Sequence, residues 1–400
     1  MQIHRKKNDE SLKEIAEKYG ICEENLRTIN DLTEEAPAEG EELLILTPTR
    51  SYTVQYGDTP EKIAIRFGIK SGDIYANNPH LIGSKLKPGQ NIALRYDERR
   101  YGMAVANGYY YKGCTKEMLS RAMPYLTYIT FAGGVADESG VRRSGDFRRE
   151  VKLALDERKI PLLRVYDRHV ARYKNGADLT KFAEGMISLA REDGYKGIVL
   201  DSCPLNASAE NFVAFLIFLR KLLIGCDLIL ITEINENSPI EFSEFADGSV
   251  MYYPKYSTEN PDTFESGERR VLSDFACRGE SAKTFIDLPS LARRGRDYAT
   301  IDSALHVARK DGCRIEHNES TLLSSFYDRK QGEYVFSSLK NIKSLLDLAN
   351  EFDYMGICFD IMRTPLSHLM MYNSMFKTSY LSPDIYSVRT PGGCNRADEE

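Results

Sequence analysis

The sequence predicts an α/β protein: a (β/α)8 barrel preceded by two small β-α-α-β units. Three observations carry that expectation. From Tyr101 onward, short apolar runs alternate with helical stretches, and eight such runs can be counted. Some of those runs stop at a carboxylate, as Gly197-Ile198-Val199-Leu200-Asp201 does. A polar residue there would sit at the mouth of such a barrel, where its chemistry is done. Ahead of Tyr101, the chain repeats itself at an offset of 48 residues.

Four hundred residues are enough for two or three domains with a sizeable core. The formal net charge of -6 argues against nucleic acid or an anionic membrane surface as the main partner. No apolar run reaches the roughly 18 residues needed to span a bilayer. Met1-Gln2-Ile3-His4-Arg5-Lys6-Lys7 is polar and lacks the apolar stretch of a signal peptide, so synthesis in the cytoplasm without export by that route is expected. The eight cysteines form no Cys-x-x-Cys pair and the six histidines no cluster. No zinc site, disulfide framework or cofactor is expected, and a reducing compartment is. Trp is absent while Tyr reaches 24, which matters because sugar sites often use Trp as a stacking floor.

The repeat comes first. Ser11-Leu12-Lys13-Glu14-Ile15-Ala16-Glu17-Lys18-Tyr19-Gly20-Ile21 matches Thr59-Pro60-Glu61-Lys62-Ile63-Ala64-Ile65-Arg66-Phe67-Gly68-Ile69. Each copy has a Ser or Thr at a helix N-cap, apolar residues at helical spacing and a Gly stop. A second short helix follows near Leu26 or Ile74 and ends in Asn30 or Asn77-Asn78. Short strands open and close each copy, so residues 1–47 and 51–96 form the two units.

These units resemble the LysM module, which binds N-acetylglucosamine-containing glycans such as peptidoglycan and chitin. The second copy carries the motif as Tyr52-Thr53-Val54-Gln55-Tyr56-Gly57-Asp58-Thr59, Asn78-Pro79-His80-Leu81-Ile82 and Leu86-Lys87-Pro88-Gly89-Gln90. The first is degenerate, with Asp9-Glu10-Ser11 where Gly-Asp-Ser is usual. The resemblance implies that glycan lies between the loop before the first helix and the loop after the second, at Gly57, Asp58, Thr59, Leu81 and Ile82. The alternative is that these are turn and capping residues of a small domain.

The barrel follows over 101–378. Its strands are expected at Met103–Ala106, Leu126–Phe131, Pro161–Val165, Gly197–Asp201, Asp227–Thr232, Ser249–Tyr253, Thr284–Leu288 and Tyr354–Asp360. Helices are expected at Thr115–Met123, Gly145–Glu157, Leu179–Glu192, Ala209–Leu223, near Arg269, and at Ser338–Glu351. An α+β insertion is expected near 299–335, with a hairpin at Ser324–Val335. Residues 381–400 have the composition of a disordered tail.

Two LysM-like units before such a barrel resemble the spore cortex-lytic, N-acetylglucosaminidase-like branch of glycoside hydrolase family 18, a bacterial group. Gly108-Tyr109-Tyr110, Tyr128-Ile129-Thr130-Phe131, Gly194-Tyr195-Lys196-Gly197 and Val250-Met251-Tyr252-Tyr253 fit that branch. Family 18 ends its fourth strand with Asp-x-Glu. The Glu is the general acid, and the Asp orients the substrate's own acetamido nucleophile, one of the exceptions to the two-carboxylate scheme. Here Asp201 matches the Asp, but Cys203 stands in place of the Glu. A thiol is short and a weak donor, and losing a general acid costs about 10²–10⁴ in rate.

Other departures agree. Where the sixth strand usually reads Met-x-Tyr-Asp, Met251-Tyr252-Tyr253 is followed by Pro254, with Tyr253 matched to the acetamido-binding Tyr. Asp360 stands where the eighth strand presents a Trp, and Asp287-Leu288-Pro289 replaces Gly-Ile-Pro. The expectation is a pseudoenzyme that binds peptidoglycan or chitin-like glycan in a spore or cell wall, with Asp201, Cys203 and Tyr253 as vestigial positions. Tyr109, Tyr110 and Asp360 are its further glycan contacts.

Two alternatives stay open. One is an active enzyme in which Asp167, Glu233, Asp287 or Asp360 has become the proton donor, or Cys203 a nucleophile served by His169. The other is a structural scaffold that also binds spore coat proteins.

Overall fold

The computed structural model describes residues 1–32, 35–96, 101–137, 139–167, 176–201, 209–235, 238, 241–252 and 263–378. The proposed tail at 381–400 lies outside them. The first unit runs β1 (Gln2–Arg5), α1 (Leu12–Tyr19), α2 (Glu23–Ile29) and β2 (Glu42–Ile45), with β1 antiparallel to β2. Helix α1 begins in a capping box: Ser11 Oγ accepts the Glu14 N–H, and the Glu14 carboxylate accepts the Ser11 N–H at 2.8 Å. The second unit repeats this path as β3 (Arg50–Thr53), α3 (Pro60–Phe67), α4 (Ser71–Asn77) and β4 (Asn91–Arg95). The repeat extends to a shared clamp. Asn30 bonds the backbone N–H and C=O of Leu44 at 2.6 and 3.0 Å, and Asn78 does the same to Ala93 at 2.8 and 2.7 Å.

The barrel follows: β5 (Gly102–Tyr110), α5 (Lys116–Ala122), β6 (Tyr128–Asp137), β7 (Gly140–Arg143), α6 (Arg148–Asp156), β8 (Ile160–Asp167), α7 (Gly176–Asp193), β9 (Gly197–Asp201), α8 (Ala209–Ile224), β10 (Ile229–Asn235), α9 (Glu241–Glu244), β11 (Gly248–Tyr252), α10 (Arg270–Cys277) and β12 (Thr284–Asp287). An insertion then contributes β13 (Leu291–Arg294), β14 (Asp297–Thr300), α11 (Ile301–Asp311), β15 (Glu316–Asn318), β16 (Leu323–Asp328) and β17 (Gly332–Ser337). Helix α12 (Leu339–Glu351), β18 (Gly356–Asp360), α13 (Leu366–Met375) and β19 (Phe376–Thr378) complete the described chain.

Strands β5, β6, β8, β9, β10, β11, β12 and β18 are parallel neighbours in that order, and β18 pairs back onto β5 to close an eight-stranded barrel. The seam is tight. A Cβ on Gly356 would lie 1.7 Å from the Val105 carbonyl oxygen, so only glycine fits there. The insertion's strands form an antiparallel sheet in the order β14-β13-β17-β16-β15. It begins at Leu291 rather than near 299, because β13 is Leu-Ala-Arg-Arg and carries no apolar alternation to mark it.

Both N-terminal units pack on the barrel domain. Leu44 and Leu46 from the first, and Ala76 and Ala93 from the second, join the same apolar cluster as the layer between strands and helices. The Tyr125 hydroxyl donates to the Ala76 carbonyl at 2.9 Å, and Asn373 donates to Asn77 at 3.0 Å. Gly40 lies against Ile315, where a Cβ would stand 2.1 Å from the carbonyl oxygen. Beside it Arg309 grips Glu41 at 2.6–3.2 Å, with both side chains almost wholly buried.

Candidate functional site

Side chains alternate along a strand, so residues meeting inside the barrel fix which parity faces inward. Val105, Leu162, Val199, Ile231, Val250, Phe285 and Cys358 form that interior cluster, with Tyr109 and Tyr252 against it. Two residues on from the interior residue, on six of the eight strands, stand Arg164 on β8, Asp201 on β9, Glu233 on β10, Tyr252 on β11, Asp287 on β12 and Asp360 on β18. They are set at the C-terminal ends of the strands, the end where such barrels carry their sites.

Arg164 organises this layer. Its Nε and Nη2 donate to Glu233 at 2.6 and 2.7 Å, and Nη2 also reaches Asp201 at 3.0 Å. The Tyr109 hydroxyl donates to the same Glu233 oxygen at 2.7 Å. Burial opposes the charge on Arg164, but its bonds to Glu233 outweigh that and raise its pKa. Burial, and then the Glu233 charge, push the Tyr109 and Tyr252 hydroxyls well above the usual phenol value. Glu233 therefore accepts two guanidinium donors and a hydroxyl in a site where its side chain is 2% exposed. Both of its oxygens are thus committed to partners within the barrel rather than open to a substrate.

Asp360 is also engaged. It accepts from the Tyr111 hydroxyl at 2.9 Å and from the backbone N–H of Met362 and Arg363 at 3.0 and 3.1 Å, which fixes the turn after β18. Burial raises its pKa against the effect of those donors. Asp287 sits half-buried at the end of β12. Tyr110 faces away from the barrel interior and packs on Phe131 and Phe147, so it is core and not a glycan platform. Cys203, Tyr253, Pro254 and His169 lie outside the described residues, as does the side chain of Asp167. Tyr252 has the inward parity, so it is the tyrosine the β11 end presents to the interior. Arg164 had no role in the sequence reading, though an arginine inside Pro161–Val165 is itself anomalous for a buried strand.

In the second unit, Gly57 and Thr59 lie on the surface and Ile82 is half-buried. Asp58 is a clamp: it accepts from the Tyr52 hydroxyl at 2.7 Å and the Gln55 N–H at 2.8 Å, and pairs with Arg66 at 3.3 Å. The Tyr52 bond, first among these, lowers its pKa. Thr59 caps α3, and Leu81 is 1% exposed within the unit's core. Leu81 can therefore shape a groove only from beneath. Next to Gly57, Tyr56 is 95% exposed, a ring held out in water beside the expected groove. In the first unit the matching second loop is spent on packing. The Asp31 carboxylate accepts the Leu366 N–H at 2.7 Å, the Glu39 carbonyl accepts the Ile315 N–H at 2.8 Å, and the Gly40 carbonyl bonds His317 at 2.7 Å.

Residues 52–95 match the family model of the LysM domain. The second unit is a LysM domain. Over the whole chain, the structure is similar to the spore cortex-lytic enzyme SleL of Bacillus megaterium QM B1551. The TM-score is 0.73 at 17% identity, covering 95% of this chain and 99% of that one. The SleL of Bacillus cereus gives 0.71 at 15% identity, over 95% and 100%. The barrel alone is similar to a GH18 chitinase from Cycas revoluta solved with (GlcNAc)3, with a TM-score of 0.58 at 13% identity, over 68% of this chain and 99% of that one. At these identities the likeness is one of fold, and function must be argued from the site. Comparison with curated protein sequences gives no match.

Proposed function

We propose that this chain binds wall glycan in a spore or cell envelope through its LysM domain, and that its glycosidase-shaped barrel has lost ordinary hydrolase activity. One observation carries the second half: Arg164 holds Asp201 and Glu233 together at the end where a substrate would bind. A family-18 reaction needs a proton donor at the leaving oxygen and a free carboxylate to orient the acetamido group. Here the donor's position in the sequence is Cys203, Asp201 is tied to a guanidinium, and no Trp can floor the sugar subsite. The LysM domain supports the first half, since Tyr56, Gly57 and Thr59 of its first loop and Gly83, Ser84 and Lys85 of its second are exposed, while the first unit's second loop is packed away. On this reading the protein is made in the cytoplasm and becomes associated with spore or cell wall, with N-acetylglucosamine-containing glycan as its ligand.

The test uses the purified full-length chain. It should sediment with insoluble peptidoglycan and release no products from cortex muropeptides or chitooligosaccharides. Robust hydrolysis abolished by Asp201→Asn would overturn the loss of activity, and failure to sediment would overturn the glycan ligand.

A further inference from the structure

Helix α8 carries large apolar residues on its outer face as well as on its inner one, more than a helix covered on one side needs. Its inner face is covered: Phe212, Phe215, Leu216, Leu219 and Leu223 are at most 1% exposed. Its outer face is not. Ile217 is 46% and Ile224 66% exposed, and a groove of about 500 Å³ between this helix and α7 is lined by Ile187, Phe218 and Leu222 together with Glu184, Arg191 and Glu192.

The exposed residues fall in one stripe: Glu210, Ala214, Ile217, Lys221 and Ile224. The spacing is four, three, four, three, the alternation of a and d positions in a coiled-coil seam. In an antiparallel pair of such seams, a positions of one helix pack on d positions of the other. A two-fold axis between Phe215 and Leu216 then sets Glu210 opposite Lys221 and Ala214 opposite Ile217. Both matches are complementary, the first in charge and the second in size. Because the axis is a two-fold, each match occurs twice. A stripe complementary to its own inverted copy is what an isologous interface requires. Among the described residues, neither Glu210 nor Lys221 has an ion-pair partner within the chain.

We propose that this face binds a second copy of the chain, forming a two-fold dimer in which the two α8 helices pack antiparallel. Light scattering of the full-length protein at micromolar concentration should give twice the 45.4 kDa of one chain. Ile217→Asp should give the single-chain mass with an unchanged circular dichroism spectrum, and its melting temperature should no longer rise with protein concentration as that of the unaltered dimer does. Glu210→Lys and Lys221→Glu should each raise the dissociation constant several-fold, and the two together should restore it. A single-chain mass for the unaltered protein would overturn the proposal. So would a dimer that survives Ile217→Asp, or a double charge swap that weakens the dimer further.

Discussion

Arg164 grips both oxygens of Glu233 at 2.6 and 2.7 Å from the neighbouring side of the barrel, 69 residues away in sequence. Glu233 is 2% exposed and Arg164 24%. Removing one partner of such a pair leaves a charge stranded out of water, which costs about 3–5 kcal/mol, whereas replacing both by neutral groups is far milder. Arg164→Met should therefore lower the unfolding free energy by about 3 kcal/mol, the low end because the guanidinium is partly wet. Adding Glu233→Gln to that variant should recover much of the loss. Denaturant titrations of the single and double variants measure both terms.

The ring of Tyr56 stands in water beside Gly57, next to the expected LysM groove, and gains almost no packing within the chain. Aromatic rings of this kind are the usual energetic anchors of a binding face. Tyr56→Ala should weaken sedimentation with peptidoglycan about tenfold, equal to about 1.4 kcal/mol, and leave the melting temperature unchanged. Asp58→Asn should do the reverse, loosening the loop it ties to Tyr52 and Arg66 and lowering the stability of the domain. Equal loss of binding and stability in Tyr56→Ala would assign the ring to packing.

The barrel and the repeat could be read in the sequence because their signals are periodic and local. Eight apolar runs need only their own residues to be seen, and the 48-residue offset needs only self-comparison. Arg164 needed one further step. The alternation Leu162, Arg164 shows that it faces inward, but only the fold reveals Glu233 and Asp201 on the next two strands. The same parity moves the inward tyrosine of β11 to Tyr252. Docking of the first unit was not legible, because Glu41 and Arg309 are 268 residues apart and each alone reads as a surface charge.

That docking pair is itself testable. Glu41 and Arg309 expose only 2% and 6% of their side chains, and Glu41 also accepts the Ala38 N–H at 2.9 Å. Glu41→Ala should cost about 3–5 kcal/mol by stranding the guanidinium. Hydrogen exchange should rise in β2 and α11 together and stay unchanged in the LysM domain. A rise confined to β2 would mean that the pair does not join the two bodies.

Beside that pair, burial and the nearby Asp31 charge push the Asp302 carboxyl up to about 7, against the pull of Arg309 and Arg121. An unfolded Asp titrates near 3.9. Between these values the folded chain holds a proton that the unfolded chain has released, so stability falls as pH rises through this window. Below about pH 4 both states are protonated and the penalty is absent. Asp302→Asn should thus leave stability unchanged at pH 4 and raise it at pH 8. A gain of equal size at both values would place its cause elsewhere.

The last prediction concerns Cys203. Restoring a carboxyl there, as Cys203→Glu, returns the residue type that family 18 uses as its acid, and a general acid supplies about 10²–10⁴ in rate. The gain depends on the rest of the site accepting it. Asp201, which should orient the acetamido group, is held by Arg164 at 3.0 Å. Asp360, which the sequence sets where a sugar floor is expected, is committed to Tyr111 and the turn after β18. A new acid would then face a substrate that nothing orients, so Cys203→Glu should recover less than about tenfold of that rate. Adding Arg164→Met should free Asp201 but strand Glu233, and should gain little more. Product release from chitooligosaccharides, followed by chromatography, separates the cases. A rise of a hundredfold or more from Cys203→Glu alone would mean that Arg164 yields to substrate and that the barrel lacks only its acid.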